Sequence, residues 1–234
     1  AIGHRGLATF DTFEPGENSA LLASLDGWLD RWTRMRDLEH AASRAVPPLY
    51  LWGPSGSGKT HLLTALVATV QASGGRVAWL GDLSTEDPAA ELGSNLDLFL
   101  IDDCDQLNPA LQQAAFAAFV EAADAGFAIV AAGRTPPVDL PIREDLRTRL
   151  GWGEIHPVRP LSEAETRATL RQEADRRGIF LGDEIMAWLL SRFHRDLRSL
   201  MALLDRLDAY ALANKRPVTL PLLRRMLEDE GRLP

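Results

Sequence analysis

The chain has 234 residues, a formal net charge of −8, 46% hydrophobic residues and a single cysteine, Cys104. These figures exclude a disordered chain, argue against a general polyanion binder, rule out an intramolecular disulfide and fit a reducing compartment. No apolar run is long enough to cross a bilayer, no signal-peptide pattern opens the chain, and the five scattered histidines show no metal-ligand spacing.

Leu21, Leu22, Leu25, Trp28, Leu29 and Trp32 recur at the helical period and predict a helix over 18–37. The run Leu49-Tyr50-Leu51-Trp52 reads as a short buried strand. A helix is expected over 59–72, a strand over 76–80 and a third strand over 96–102 (LDLFLID). Asn108 is a helix cap with Pro109 at the first helical position, opening a helix to about Asp124. FAIVAA at 127–132 is a fourth strand, followed by a short helix near 142–150 and a strand near 153–157. Strands separated by helices mean parallel βαβ units.

The texture then changes. Ser162 and Glu165 form a capping box for a helix over 162–177, with Gly178 as its stop. Helices near 183–193, 196–213 and 219–229 follow with no strand between them. The fold class is therefore α/β: residues 1–158 form a P-loop base with a parallel sheet flanked by helices, and 159–234 a small all-helical lid. No internal repeat and no low-complexity tract is present.

The strongest chemical signal is GPSGSGKT: Gly53, Pro54, Ser55, Gly56, Ser57, Gly58, Lys59 and Thr60. It matches G-x-x-x-x-G-K-[ST] after a strand and at the start of a helix, with His61 next. The glycines let backbone N–H groups curl around phosphate oxygens, and the helix N-terminus adds positive potential. Lys59 is expected to reach the β- and γ-phosphates and Thr60 to bind Mg²⁺. The bland alternative is a glycine-rich turn. In LFLIDDCDQL, apolar residues push Asp102 to the strand edge, where a carboxylate can hold the Mg²⁺ shell. Asp103 is the candidate to polarise an attacking water; the alternative for the pair is a helix-capping turn. Cys104 reads as packing, since nothing basic adjoins it.

These residues, in this order, resemble the AAA+ class and, within it, the DnaA-like branch. FDTFEPGENSALLASL at 10–25 is similar to that branch's adenine-pocket segment, and GKTHLL, LIDDCDQL, LRTRLGWG and DLRSL follow in its order. The whole chain resembles the Hda-type regulators of the branch most. The resemblance makes Lys59 and Thr60 the Walker A residues and Asp102 and Asp103 the Walker B pair. It makes Arg149 an arginine finger acting in trans, and Arg198 the sensor 2 residue that touches phosphate from the lid. Arg149 could also be a plain helical ion pair with Asp145, and Arg198 a solvated helix residue. The position matching sensor 1 holds Arg134, where relatives carry a small polar or acidic side chain, which weakens the case for the chain's own turnover.

What the resemblance implies is an ADP- or ATP-binding regulator, with Mg²⁺, that promotes hydrolysis of ATP on the replication initiator DnaA. The implied partners are DnaA, the DNA-loaded sliding clamp and further copies through the AAA+ interface, with no sequence-specific DNA binding and no membrane. The expected location is the cytoplasm, at the nucleoid only through partners. Residues 1–9 do not resemble the clamp-binding peptide of such regulators, and the 15-residue run GDLSTEDPAAELGSN is too short for the initiator's helical insertion. No helix-turn-helix follows the lid helices. Two alternatives remain: an autonomous ATPase of the helicase-loader kind, and a DNA-binding fragment of an initiator.

Overall fold

The computed structural model describes residues 8–36, 46–80, 96–192 and 197–231, and of residue 198 the backbone alone. The peptide question at residues 1–7, the run at 81–95 and the helix ends expected at 37, 193 and 196 lie outside these residues.

Two compact units divide the chain, residues 1–159 and 160–234. The first holds a fully parallel five-stranded sheet. Its strands are β1 (Leu49–Trp52), β2 (Val77–Trp79), β3 (Leu98–Ile101), β4 (Ala128–Gly133) and β5 (Glu154–Pro157), in the order β2-β3-β4-β1-β5. The connecting helices are α1 (Ser19–Arg36), α2 (Lys59–Ala72), α3 (Pro109–Ala125) and α4 (Glu144–Leu150).

The central strands are apolar on both faces, and the period of two sorts their residues between two cores. Leu49, Leu51, Leu98, Leu100 and Val130 face one core, shared with Leu25, Trp28 and Trp32 of α1 and Leu62, Leu66 and Val70 of α2. Tyr50, Phe99, Ile101, Ile129 and Ala131 face the other, shared with Phe119 of α3 and Leu146 and Leu150 of α4. Each fully buried Leu or Ile here contributes about 1.5–3 kcal/mol.

Polar anchors fix the helices at defined heights. The indole N–H of Trp28 donates to the Pro47 carbonyl at 3.2 Å, and that of Trp32 to the Asp97 carbonyl at 3.3 Å. These two bonds tie α1 to the chain entering β1 and β3. Buried Asn18 donates to the Arg159 carbonyl at 2.8 Å and accepts from the Arg159 N–H at 2.7 Å, so the segment before α1 is bonded to the end of the base. Removing one side of a buried pair of this kind costs about 1–3 kcal/mol.

The third strand is shorter than the sequence suggests for a local reason. Asp97 accepts the Arg76 N–H at 2.9 Å through its side chain, which caps the strand start, and Asp102 lies one residue past the strand end. The same end carries an unforeseen feature: Asp103 adopts a left-handed backbone, φ 45°, and leads into a short 3-10 turn at Cys104–Gln106.

The second unit is helical: α5 (Glu163–Arg176), α6 (Asp183–Arg192), α7 (Leu197–Asn214) and α8 (Leu220–Asp229). The Ser162–Glu165 capping box is present, and Gly178 follows α5 at φ 71°. Leu170, Met186, Leu189, Leu203, Leu207, Leu223 and Leu227 fill one core from all four helices.

Candidate phosphate and nucleotide site

The site grows from three strand ends on the same edge of the sheet. Parallel pairing sets Trp52 of β1 beside Gly133 of β4, and Ile101 of β3 beside Ala131 of β4. The loop after β1 and the acidic turn after β3 therefore leave the sheet on either side of β4.

Close approach dictates the glycines. A Cβ on Gly53 would lie 2.3 Å from the Val158 carbonyl oxygen, and one on Gly133 would lie 2.2 Å from the Tyr50 hydroxyl. The Gly53 N–H donates to the Gly133 carbonyl at 3.2 Å, so the loop is bonded to the strand it must pass. Gly56 and Gly58 take positive φ, 78° and 101°, which only glycine accepts at low cost. The result is a chain that curls and then enters α2 with Lys59 at its first turn.

The side chains follow. Lys59 is buried, and its ammonium donates to the carbonyls of Gly53 at 2.8 Å and Pro54 at 3.0 Å. Burial pushes its pKa down, while Asp102, Asp103 and Asp105 pull it back up. Thr60 donates through Oγ1 to Oδ2 of Asp102 at 2.7 Å. The other oxygen of Asp102 accepts the Asp103 N–H at 2.9 Å. The Asp103 carboxyl is pushed up, first by partial desolvation and then by the charges of Asp102 and Asp105. A carboxylate shifted toward neutrality is a better proton acceptor for water.

The arrangement fits an anionic ligand. Ser57 is 6% exposed, and its Oγ has no hydrogen-bond partner among the described residues. A buried donor in a cradle of N–H groups suits phosphate oxygen. The adjacent Thr60 hydroxyl and Asp102 carboxylate are hard oxygen donors of the kind Mg²⁺ accepts. Among the described residues no group of three or more His, Cys, Asp or Glu could hold a metal.

Further residues surround the loop and the acidic turn. The His61 ring is turned to residues 9–13: Nε2 lies 2.9 Å from the Thr9 carbonyl and 3.3 Å from the Thr12 hydroxyl, and the ring meets Phe13 edge-on. Phe13 covers the P-loop, since a Cβ on Gly58 would lie 2.6 Å from its ring. Asp105 accepts the Arg134 backbone N–H at 3.0 Å and forms an ion pair with its guanidinium at 3.3 Å. Arg134 is thus paired beside the acidic turn, and Asp105 is the residue the sequence reading passed over; its signal is the alternation of carboxylates in IDDCD. The Oγ1 of Thr135, next to Arg134, is buried and has no hydrogen-bond partner among the described residues. Cys104 is buried packing, its thiol pushed up by burial. The Arg198 side chain lies outside the described residues, and that residue belongs to the second unit.

Arg149 lies elsewhere in the fold. It sits in the last turn of α4, whose chain enters β5 from the strand-start edge of the sheet. Register places Glu154 beside Leu49, and the Glu154 N–H donates to the Pro48 carbonyl at 2.8 Å. The P-loop leaves from the strand-end edge, four residues of β1 away. The helical ion pair with Asp145 does not form: Asp145 accepts two hydrogen bonds from Arg143, at 3.1 and 2.6 Å. The Arg149 guanidinium stacks instead on Trp152, 4.3 Å from the ring centroid, with Phe116 at 5.8 Å.

Comparison with known proteins converges with this geometry. The family profile of the bacterial DnaA ATPase domain matches residues 8–156, and that of the Hda lid domain matches residues 163–227. Domain III of the Thermotoga maritima replication initiation protein DnaA superposes with a TM-score of 0.69 at 24% identity, over 95% of this chain and 96% of that one. AMPPCP-bound DnaA from Aquifex aeolicus gives 0.60 at 20% identity; the match takes in 84% of this chain and 64% of that one. A RuvB variant from Thermotoga maritima gives 0.64 at 19% identity, over 95% and 72%. At these identities the structural likeness establishes the fold. Among the described residues no helix is long and apolar enough to cross a membrane.

Two outcomes test the site. Lys59→Ala removes the buried ammonium, so calorimetric titration should show tight ADP binding lost, and ADP should no longer raise the melting temperature. Unchanged affinity would remove the loop from the account. Asp103→Asn keeps a residue that tolerates left-handed backbone and deletes one of three clustered carboxylates. An acid whose pKa is raised on folding costs stability where it is ionised. That cost is absent at low pH and grows as pH rises through the ordinary carboxylate value to the raised one. The variant should therefore melt higher than the parent at pH 7, and the gap should close as pH falls below the carboxylate range. A lower melting point at pH 7 contradicts this.

Proposed function

The chain belongs to the bacterial DnaA ATPase-domain family, and we propose that it is an adenine-nucleotide-binding AAA+ regulator of replication initiation. In this reading it docks on an ATP-loaded initiator and supplies Arg149 to the phosphates held there, promoting hydrolysis and so inactivating the initiator. The match of residues 163–227 to the Hda lid domain supports this regulatory branch over a generic ATPase.

The observation that carries the proposal is the placement of Arg149. In an open parallel α/β sheet, ligands bind beyond the carboxyl ends of the strands. Arg149 lies at the end of the helix that feeds the opposite edge, which supports a role toward a phosphate other than the one at its own P-loop. An unneutralised guanidinium on that edge suits a phosphate carried by a neighbour. A planar, permanently charged fork matches the charge spread over transferring phosphoryl oxygens, and an arginine supplied in trans can contribute on the order of 10³–10⁵ in rate in GTPases.

The cis site has a different task in this reading. Lys59, Ser57 and the glycine cradle bind the nucleotide phosphates, the Thr60–Asp102 pair provides the Mg²⁺ position, and Arg198 is the lid's contact to phosphate. Bound nucleotide stabilises the native base by mass action and sets the docking surface. Aquifex DnaA was solved with AMPPCP, an ATP analogue, which favours an adenine nucleotide here. The sliding clamp and self-association remain the partners the family suggests, and the net charge of −8 gives no basis for general binding to duplex DNA.

A second reading, an autonomous ATPase, has one observation in its favour: Asp103, with its raised pKa, adjoins the Thr60–Asp102 pair. Against it, Arg134 at the end of β4 is committed to Asp105. Measured turnover by the isolated chain separates the two.

The decisive variant is Arg149→Ala. In an assay with ATP-loaded initiator and clamp-loaded DNA, it should lose stimulation of initiator ATP hydrolysis by at least about tenfold, a modest fraction of what a trans arginine can supply. Its own melting temperature should stay within about 2 °C, because the stacked rim contributes little to folding. Normal stimulation by the variant would reduce Arg149 to a surface charge.

A further inference from the structure

We infer that Trp152 is a positioning residue for Arg149: its indole face holds the guanidinium in place while leaving the charge and the N–H donors uncommitted. This rests on the reading of Arg149 as a residue that acts on a partner's phosphate.

The physical problem is specific. An arginine that must meet a phosphate on another molecule has to be pre-oriented, or binding loses the entropy of freezing its four-torsion side chain. The usual anchor for an arginine is a carboxylate. A carboxylate would fix the guanidinium and also neutralise it, and it would occupy the forked N–H pairs that phosphate needs. At this rim the nearest candidate is removed. Asp145, one turn before Arg149, is held by two hydrogen bonds from Arg143. No acceptor is bonded to the Arg149 guanidinium among the described residues.

A ring face solves the problem differently. Stacking uses the face of the guanidinium, while its N–H bonds point outward in the plane and stay available. The Arg149 guanidinium carbon lies 4.3 Å from the Trp152 centroid, well inside the range of a cation–π contact. Phe116 of α3 stands on the same group at 5.8 Å. The backbone makes the Trp152 contact reproducible: the Gly151 N–H closes the helix on the carbonyls of Arg147 and Thr148, and the Trp152 N–H donates to the Arg149 carbonyl at 3.2 Å. A Cβ on Gly153 would collide with the Pro48 carbonyl, so the turn is pressed against the start of β1. Trp152 itself is 63% exposed and absent from both cores of the base. An indole in that position contributes little to the fold, which leaves its contact with Arg149 as its structural role.

The test is a titration of ATP-loaded initiator, with clamp-loaded DNA, by the parent chain and by Trp152→Ala, Trp152→Phe and Arg149→Ala. A lost cation–π contact corresponds to a rate loss on the order of 3- to 30-fold. Trp152→Ala should lower the maximal stimulated rate by that factor with the half-maximal concentration within about twofold, and Trp152→Phe should recover most of the rate. In the Arg149→Ala background, Trp152→Ala should cause no further loss, since it acts through that arginine. A second readout does not depend on activity: in the isolated chain, the Arg149 Nε–H resonance should carry an indole ring-current shift that disappears in Trp152→Ala. If Arg149→Ala abolishes stimulation and Trp152→Ala keeps the full maximal rate, the positioning role is wrong and the reading of Arg149 stands. A change confined to the half-maximal concentration makes Trp152 a docking contact and overturns the inference. Normal stimulation by Arg149→Ala overturns both.

Discussion

One hydrogen bond, from the Thr60 hydroxyl to Asp102 at 2.7 Å, joins the two halves of the phosphate site, and most of the base can be read as what makes it possible. The two residues follow strands that do not touch. β4 lies between β1 and β3, so the P-loop and the acidic turn must meet across its end. That end is Gly133, and the crowding there by the Tyr50 hydroxyl leaves no room for a side chain. The Tyr50 hydroxyl in turn donates to the Thr135 carbonyl at 2.9 Å, which holds the chain after β4 aside. A shift of one residue in the β1–β4 or β3–β4 register would turn every core residue to the wrong face, so the cores fix the site's geometry as well as the stability.

The same sheet separates two chemistries. Its strand-end edge carries Lys59, Thr60 and the acidic turn; its strand-start edge carries Arg149 and Trp152. The four residues of β1 make this a short, stiff spacer, of order 10 Å at about 3.3 Å per residue. In the proposed reading, the nucleotide belongs to the first edge and the free cation to the second. The segment before α1 extends the first edge: Phe13 lies over Gly58, His61 holds Thr9, and Asn18 bonds the segment to Arg159, where the base ends.

Much of this was legible in the sequence, for reasons that can be named. The strand at 49–52 and the helix at 59–72 have the bounds expected, because an apolar run ends at a glycine loop and an amphipathic run begins at its lysine. The Asn108 cap and the Ser162–Glu165 box read correctly because their bonds are local. What escaped was non-local. Asp105 pairs with Arg134 over 29 positions, and Asn18 with Arg159 over 141. His61 follows Thr60 in sequence, and the contact of its ring with residues 9–13 is equally non-local. The alternative Asp145–Arg149 pair had the right spacing, but Arg143 reaches the carboxylate first. Spacing permits a contact; competition among neighbours decides it.

The central claim is that the phosphate Arg149 serves belongs to another molecule. The most direct measurement is an electron cryo-microscopy structure of the chain bound to ATP-binding initiator, with ADP and aluminium fluoride added to mimic the transferring phosphoryl group. The account predicts the Arg149 guanidinium within about 3 Å of the fluoroaluminate held in the initiator's P-loop, with Trp152 stacked behind it. Arg149 facing solvent in that complex, or the initiator's fluoroaluminate met by some other cation of this chain, would contradict it.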